Sequence, residues 1–306
     1  MLLVAAGFFL SRTVLGQDSN AAIEQSRLFQ NALPTTGANV TPDGTALPDA
    51  DNSTASDDSF GAQQILKAQE KVPQFLVSGD ASIFYTSNVA LTRRDTIADK
   101  FFVGDAGLAW TPRINNELQL QMGARASIFR YDDTSELDFE SLAAGVGLLW
   151  TPHNFYGIGF VARYDFTELI DRHSDELLED HELSLAAQKI FALGRSHALS
   201  FGLIGSAGIS DPFAEQRDQI GAVISYHLQW ARCFDSDISY KHSWYFYSNG
   251  GRTDFNQILA LGLHYHLTRW ATLDGFVSGA INDSNRSVFK YNVFTGGGGL
   301  GVGIRF

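Results

Sequence analysis

The sequence predicts a closed antiparallel transmembrane β-barrel of about twelve strands, occupying residues 74–306. Three observations predict it. Apolar and polar residues alternate with period two through almost all of that stretch. Large aromatics recur about every forty residues, at Trp110, Trp150, Phe191, Trp230 and Trp270. Short connections and longer, more polar ones take turns, as in a series of hairpins whose two ends face different surroundings.

Composition narrows the class further. The 306 residues carry 22 Lys+Arg against 34 Asp+Glu, a formal net charge of −12. Charged residues make up 18%, below the ~25% of ordinary soluble domains, while Gly (29) and Phe (23) are abundant. An acidic chain does not suit nucleic acid, whose phosphates need a basic face. A single cysteine excludes a disulfide framework and a Cys-rich zinc site. Beyond the first dozen residues no apolar run is long enough for a helical membrane span.

The elements follow in chain order. Leu2–Leu10 is a compact apolar run followed by small residues at Val14 and Gly16, so residues 1–16 read as a signal peptide cut before Gln17. No Lys or Arg precedes the run, which fits a true start upstream of Met1. Residues 17–60 read as a mostly disordered periplasmic linker. Within it Ala21–Leu33 allows one short helix, and Pro34–Ser59 has almost nothing to bury. Seven acids and one Arg in this linker supply −6 of the net −12. Residues 61–73 form a short amphipathic helix ending at Pro73. Three roles are open to the extension: a plug in the lumen, a site for a periplasmic partner, or a tether.

The strands are expected near 74–88, 99–111, 117–131, 138–150, 156–168, 182–193, 197–210, 217–230, 234–247, 254–267, 271–282 and 291–306. In the third, Leu118, Leu120, Met122, Ala124, Ala126 and Ile128 share one face, and Gln119, Gln121, Arg125 and Ser127 the other. Backbone groups in lipid must all be paired within the protein, so a β-structure that spans it must close on itself. The five recurring aromatics then form a girdle at one interface, next to the short turns.

The last residues, Gly299-Leu300-Gly301-Val302-Gly303-Ile304-Arg305-Phe306, resemble the carboxy-terminal signature of outer-membrane β-barrel proteins of Gram-negative bacteria. Phe306, Ile304 and Gly301 match its aromatic, apolar and glycine positions; Gly299 stands where a polar residue is usual. The resemblance implies recognition by the barrel-assembly machinery through Phe306, Ile304 and Gly301. It also implies a multi-pass outer-membrane location, with lipid and lipopolysaccharide around the barrel and the amino-terminal extension in the periplasm.

Function is read from the inward phase of the strands. Twelve strands give a backbone radius of roughly 12 Å, between side-chain-filled small barrels and wide porins. Inward glycines leave room, and among them stand Arg125, Arg163, Asp165, Glu182, Asp237, Lys241, Asp274 and Arg305. A wet lumen solvates such charges, whereas a dry one must pair each of them. The expected function is a narrow porin-like channel for passive diffusion of small cationic or neutral hydrophilic solutes. The alternative is a closed barrel with a structural or surface-interaction role. The cationic preference rests on acidic outer loops: Asp132, Asp133 and Glu136 in one, and Asp171, Asp175, Glu176, Glu179 and Asp180 in the 168–182 connection.

No enzyme activity, metal or cofactor is expected. Tyr247-Ser248-Asn249-Gly250-Gly251 is similar to the His-x-Ser-Asn-x-Gly stretch of lipid A deacylases, but Phe246 occupies the histidine position and cannot take a proton. Asp171, His173 and their neighbours have no calcium-loop spacing. His227 is expected to face Asp237 across the 230–234 turn as an ion pair, with Cys233 incidental. The Gly296–Gly299 run marks a strand that another element approaches closely.

Overall fold

The computed structural model describes residues 20–32, 74–194 and 196–306. The expected signal peptide, most of the 17–60 linker, the expected helix at 61–73 and Arg195 lie outside the described residues. Twelve strands run β1 (Phe75–Thr86), β2 (Asp99–Trp110), β3 (Leu118–Tyr131), β4 (Phe139–Trp150), β5 (Ile158–Asp171) and β6 (Glu176–Ala192). They continue as β7 (His197–Asp211), β8 (Arg217–Ala231), β9 (Phe234–Tyr247), β10 (Thr253–His266), β11 (Ala271–Ser284) and β12 (Tyr291–Arg305). Each pairs antiparallel with its neighbours in sequence, and β1 pairs with β12 to close the barrel. Closure leaves no strand edge unpaired, the condition that a lipid environment imposes.

Phe75 and Phe306 meet at one end, which we call the near rim; the loops at 87–98 and 212–216 lie at the far rim. The period-two pattern sets the two faces. Leu108, Ile83, Leu203, Ile209 and Leu185 point outward and are exposed. Val103, Phe139, Leu149 and Leu169 point inward and are buried. Trp110, Trp150, Phe191, Trp230 and Trp270 all lie exposed at the near rim, and Phe75 stacks on both Trp110 and Phe306 with centroids 5.7 Å apart. Among the described residues no helix is long and apolar enough to cross a membrane; the barrel crosses with strands.

The connections do not alternate in length as expected: near-rim connections 111–117 and 151–157 have seven residues, more than the far-rim turns 172–175, 212–216 and 248–252. Residues 168–182 form no long loop: β5 continues to Asp171 and β6 begins at Glu176, leaving a four-residue turn. The alternation persists under the charge, for Leu169 and Leu178 face each other across the hairpin, both buried inside. At the tip the Asp171 carboxylate accepts hydrogen bonds from the backbone N–H groups of His173 (2.7 Å) and Asp175 (2.8 Å), which fixes the tight turn.

The glycine run in β12 belongs to the closing seam. A Cβ on Gly297 would collide with the Ile83 carbonyl and lie 2.7 Å from Phe84 Cα. One on Gly299 would collide with the Ala81 carbonyl and Ser82 Oγ. β1 therefore lies closer to β12 than an ordinary side chain permits. Gly297→Ala should destabilise the barrel by about 1–3 kcal/mol through overpacking. The check is the temperature at which the fast-migrating folded form disappears on a denaturing gel, which should fall.

Candidate functional site in the barrel lumen

The short helix expected within Ala21–Leu33 is present as α1, spanning 20–32, and it lies inside the barrel. Ala, Glu, Gln, Arg and Leu dominate its sequence and favour a helix. Thirteen residues are nevertheless marginal alone in water, so packing against the wall must hold it. Nearly every side chain from Ala21 to Phe29 is buried. Its partners come from opposite sides of the barrel, all towards the far rim. It is thus surrounded by wall.

α1 has two faces, and the wall has two matching sides. Phe29 packs edge-on against inward aromatics of β1, β2 and β3: Phe84 at 5.1 Å, Phe129 at 5.3 Å and Phe101 at 6.0 Å between centroids. Phe276 of β11 extends this patch through Phe84. Gln25 lies on the same side, its Nε2 donating to the carbonyls of Asn88 (3.0 Å) and Val89 (2.9 Å) in the 87–98 loop. Glu24, Arg27 and Asn31 lie on the other side, three and four residues apart as one helix face requires. Glu24 accepts from Tyr247 Oη (2.9 Å) and sits 3.3 Å from Arg252 and 4.0 Å from Arg217. Arg27 bonds both the carboxylate (3.1 Å) and the carbonyl (3.0 Å) of Glu215, with Asp180 3.7 Å away. Lys241 donates to the side-chain oxygen of Asn31.

The arginines are themselves braced. Arg217 stacks over Tyr245 at 4.0 Å; Arg252 lies over Tyr247 at 3.9 Å and over Phe289 at 3.6 Å, and its Nε donates to Asp254 at 2.9 Å. Burial would push the Glu24 carboxyl up, but Arg217, Arg252 and Arg27 outweigh it and hold the carboxyl below its ordinary value. Burial pushes Glu215 the other way, above its ordinary value, with the Glu24 charge adding to the effect and Arg27 opposing it. A gap of about 10 Å³ between α1 and the wall of β8, β9, β10, β11 and β12 has room for one water and no solute. Phe29→Ala should weaken docking of α1 by about 3–5 kcal/mol, since it opens a cavity among three aromatics. Protease cleavage of the 20–32 segment in the folded barrel should then become detectable.

Below α1, towards the near rim, the lumen wall changes character. Asp80 and Asp105 face each other across β1 and β2. Arg125 lies 3.9 Å from Asp105, and Arg163 bonds Asp165 at 2.7 Å. Glu182 opposes Asp165 on the next strand, beside Gly208. Asp237 bonds His227 at 2.8 Å, as its register pairing dictates, and Asp274 bonds His264 at 2.6 Å. Arg125, Arg163, Asp165, Glu182, Asp237, Lys241 and Asp274 therefore all occupy the inward phase, but Lys241 is engaged by α1. Asp132, Asp133, Glu136, Asp171, Asp175, Glu176 and Glu179 stand at the far rim, Glu179 bonding His181 at 2.9 Å. Asp180 is different: it points inward, accepts from Ser210 (2.6 Å) and faces Arg27.

His242 and Ser248 are far from partnership. His242 packs against Trp244 (4.2 Å) and Phe255 (4.3 Å) on the outward face, and Ser248 accepts from Gln216 in the far-rim turns. What sequence reasoning passed over is the set that binds α1: Glu24, Arg27, Phe29, Glu215, Arg217, Tyr245, Tyr247 and Arg252. A signal for it existed. Phe84, Phe101, Phe129 and Phe276 fall on the phase that a wet lumen would fill with polar groups, and buried apolar surface needs a partner.

These features define a class: a closed twelve-stranded porin-like barrel, carrying a helix in its lumen. A known structure agrees on the fold. An outer-membrane channel of Pseudomonas putida F1 superposes with a TM-score of 0.54 at 13% identity, covering 76% of this chain and 96% of that one. The anion-selective porin of Comamonas acidovorans aligns at 0.42 and 7%, covering 75% and 98%. The KdgM porin in complex with disordered oligogalacturonate gives 0.42 and 8%, covering 74% and 98%. No protein-family model and no curated protein matches the chain. The chain resembles bacterial outer-membrane porins and channels in fold.

Proposed function

We propose that this protein is an outer-membrane diffusion channel for small cationic or neutral hydrophilic solutes, closed at rest by α1. One observation carries the reading. The far half of the lumen is filled by a separate segment, and the hydrogen bonds described between α1 and the wall all involve a side chain. A wall built of side-chain contacts can release its occupant without breaking the barrel's main-chain pairing. In this reading the near rim faces the periplasm, the far rim faces outward, and Phe306, Ile304 and Gly301 serve assembly.

Charge sets the expected preference. In the near half, Asp80, Asp105, Asp165, Glu182, Asp235, Asp237 and Asp274 face inward against Arg125, Arg163 and Arg305, with His227, His264 and His266 on three of the carboxylates, which favours cations at the mouth. The test is the reversal potential across a salt gradient, recorded on a chain lacking 20–32. Cation preference is expected, and Asp80→Asn with Asp105→Asn should reduce it severalfold. Anion preference in the starting chain would refute the solute assignment.

A further inference from the structure

Near the near rim, four adjacent strands bring a second set of chemistry-bearing side chains together. β9 contributes Asp235 and Asp237, β10 contributes His264 and His266, β8 contributes His227 and β11 contributes Asp274. The Asp-x-Asp and His-x-His spacings put both members of each pair on one face of a strand, here the lumen face. Donor atoms of His227, Asp235 and Asp237 all lie within 4.8 Å of one another. His264 reaches Asp237 with Nε2 (3.2 Å) and Asp274 with Nδ1 (2.6 Å), and His266 Nε2 lies 2.6 Å from Asp235.

We propose that this cluster binds one first-row divalent transition-metal ion, through His227 Nδ1 and one oxygen each of Asp235 and Asp237. A mixed imidazole and carboxylate set suits Zn²⁺ or its neighbours, whereas Mg²⁺ and Ca²⁺ take oxygen ligands. Ligand bonds of about 2.0–2.2 Å need the three donors to draw inward by a rotamer adjustment. His264 and His266 already hold the two carboxylates from behind, as second partners of metal ligands usually do. They are positioning residues. Lumen water completes the coordination. The strand pairing already present brings these residues into place, so the site does not depend on whether the barrel conducts.

Titration calorimetry of the refolded full-length protein with ZnCl₂ in detergent tests this. One saturable site is expected, with Mg²⁺ failing to compete. His227→Ala and Asp237→Asn should abolish it, and His264→Ala or His266→Ala should weaken it about 10–100-fold. Asp237→Asn keeps the side-chain shape, and gel mobility before and after boiling confirms that each variant is folded. Absence of saturable binding overturns the proposal. So does binding that survives His227→Ala and Asp237→Asn but is lost on His173→Ala, because it would place the ion at the far-rim turn.

Discussion

Deleting residues 20–32 is expected to turn a barrel that passes almost no current into one with stable, discrete conductance steps. A helix with its side chains is about 10–12 Å across, which matches what a twelve-stranded barrel offers once inward side chains are counted. α1 is buried over most of its surface, and the gap between it and β8 to β12 is water-sized. Below it the wall is polar, charged and rich in glycine. Removing α1 therefore opens the stretch that, among the described residues, is filled by a segment separate from the wall. The main-chain ladder of β1 to β12 does not depend on α1, so the deleted protein should still fold and migrate as a heat-modifiable band. Its thermal stability should drop, because Phe84, Phe101 and Phe129 lose their cover.

Glu24→Ala should have the second largest effect, raising the fraction of time the channel is open. The carboxylate stands between Arg252, which is buried, and Arg217, which is largely so, and accepts from Tyr247. Removing one partner of a buried ionic group costs about 3–5 kcal/mol, because the remaining charges lose their compensation. Asp254 retains part of the compensation for Arg252, so the low end applies. At about 3 kcal/mol the closed-to-open ratio falls roughly 100-fold. Glu24→Gln, which keeps the Tyr247 bond but not the charge, should fall between the two. Equal behaviour of Glu24→Ala and the unaltered chain would mean that the ion cluster does not hold the helix.

The barrel was legible in the sequence for a simple reason. Period-two alternation is a local property, and twelve repetitions of it leave little freedom in strand number or facing. The inward placement of Arg125, Asp165 and Asp274 follows from the same parity. The charge density at 168–182 reads as a loop, yet Leu169 and Leu178 keep the strand phase and the segment forms a hairpin. The lumen contents were harder to see. A short helix at Ala21–Leu33 was readable, but where it lies depends on contacts some two hundred residues away, such as Arg27 with Glu215. No local pattern encodes those contacts. The inward aromatics of β1 to β3 encode only the need for a partner. Nothing local to Arg217 or Arg252 links them to Glu24, some two hundred residues away. The His–Asp cluster was half visible: His227 opposite Asp237 follows from the turn length, but the arrival of His264 and His266 depends on β10 pairing with β9.

The most direct test is current recording with a cysteine at Ser26, which is 1% exposed inside the lumen, in a Cys233→Ser background. A charged, membrane-impermeant thiol reagent is added during recording in a planar bilayer. If α1 closes the channel, reaction occurs only during open intervals, and each modified channel then stays open, since the bulky charged adduct cannot return to the buried site. Rapid modification of silent channels, or modification that leaves the current unchanged, would contradict the account.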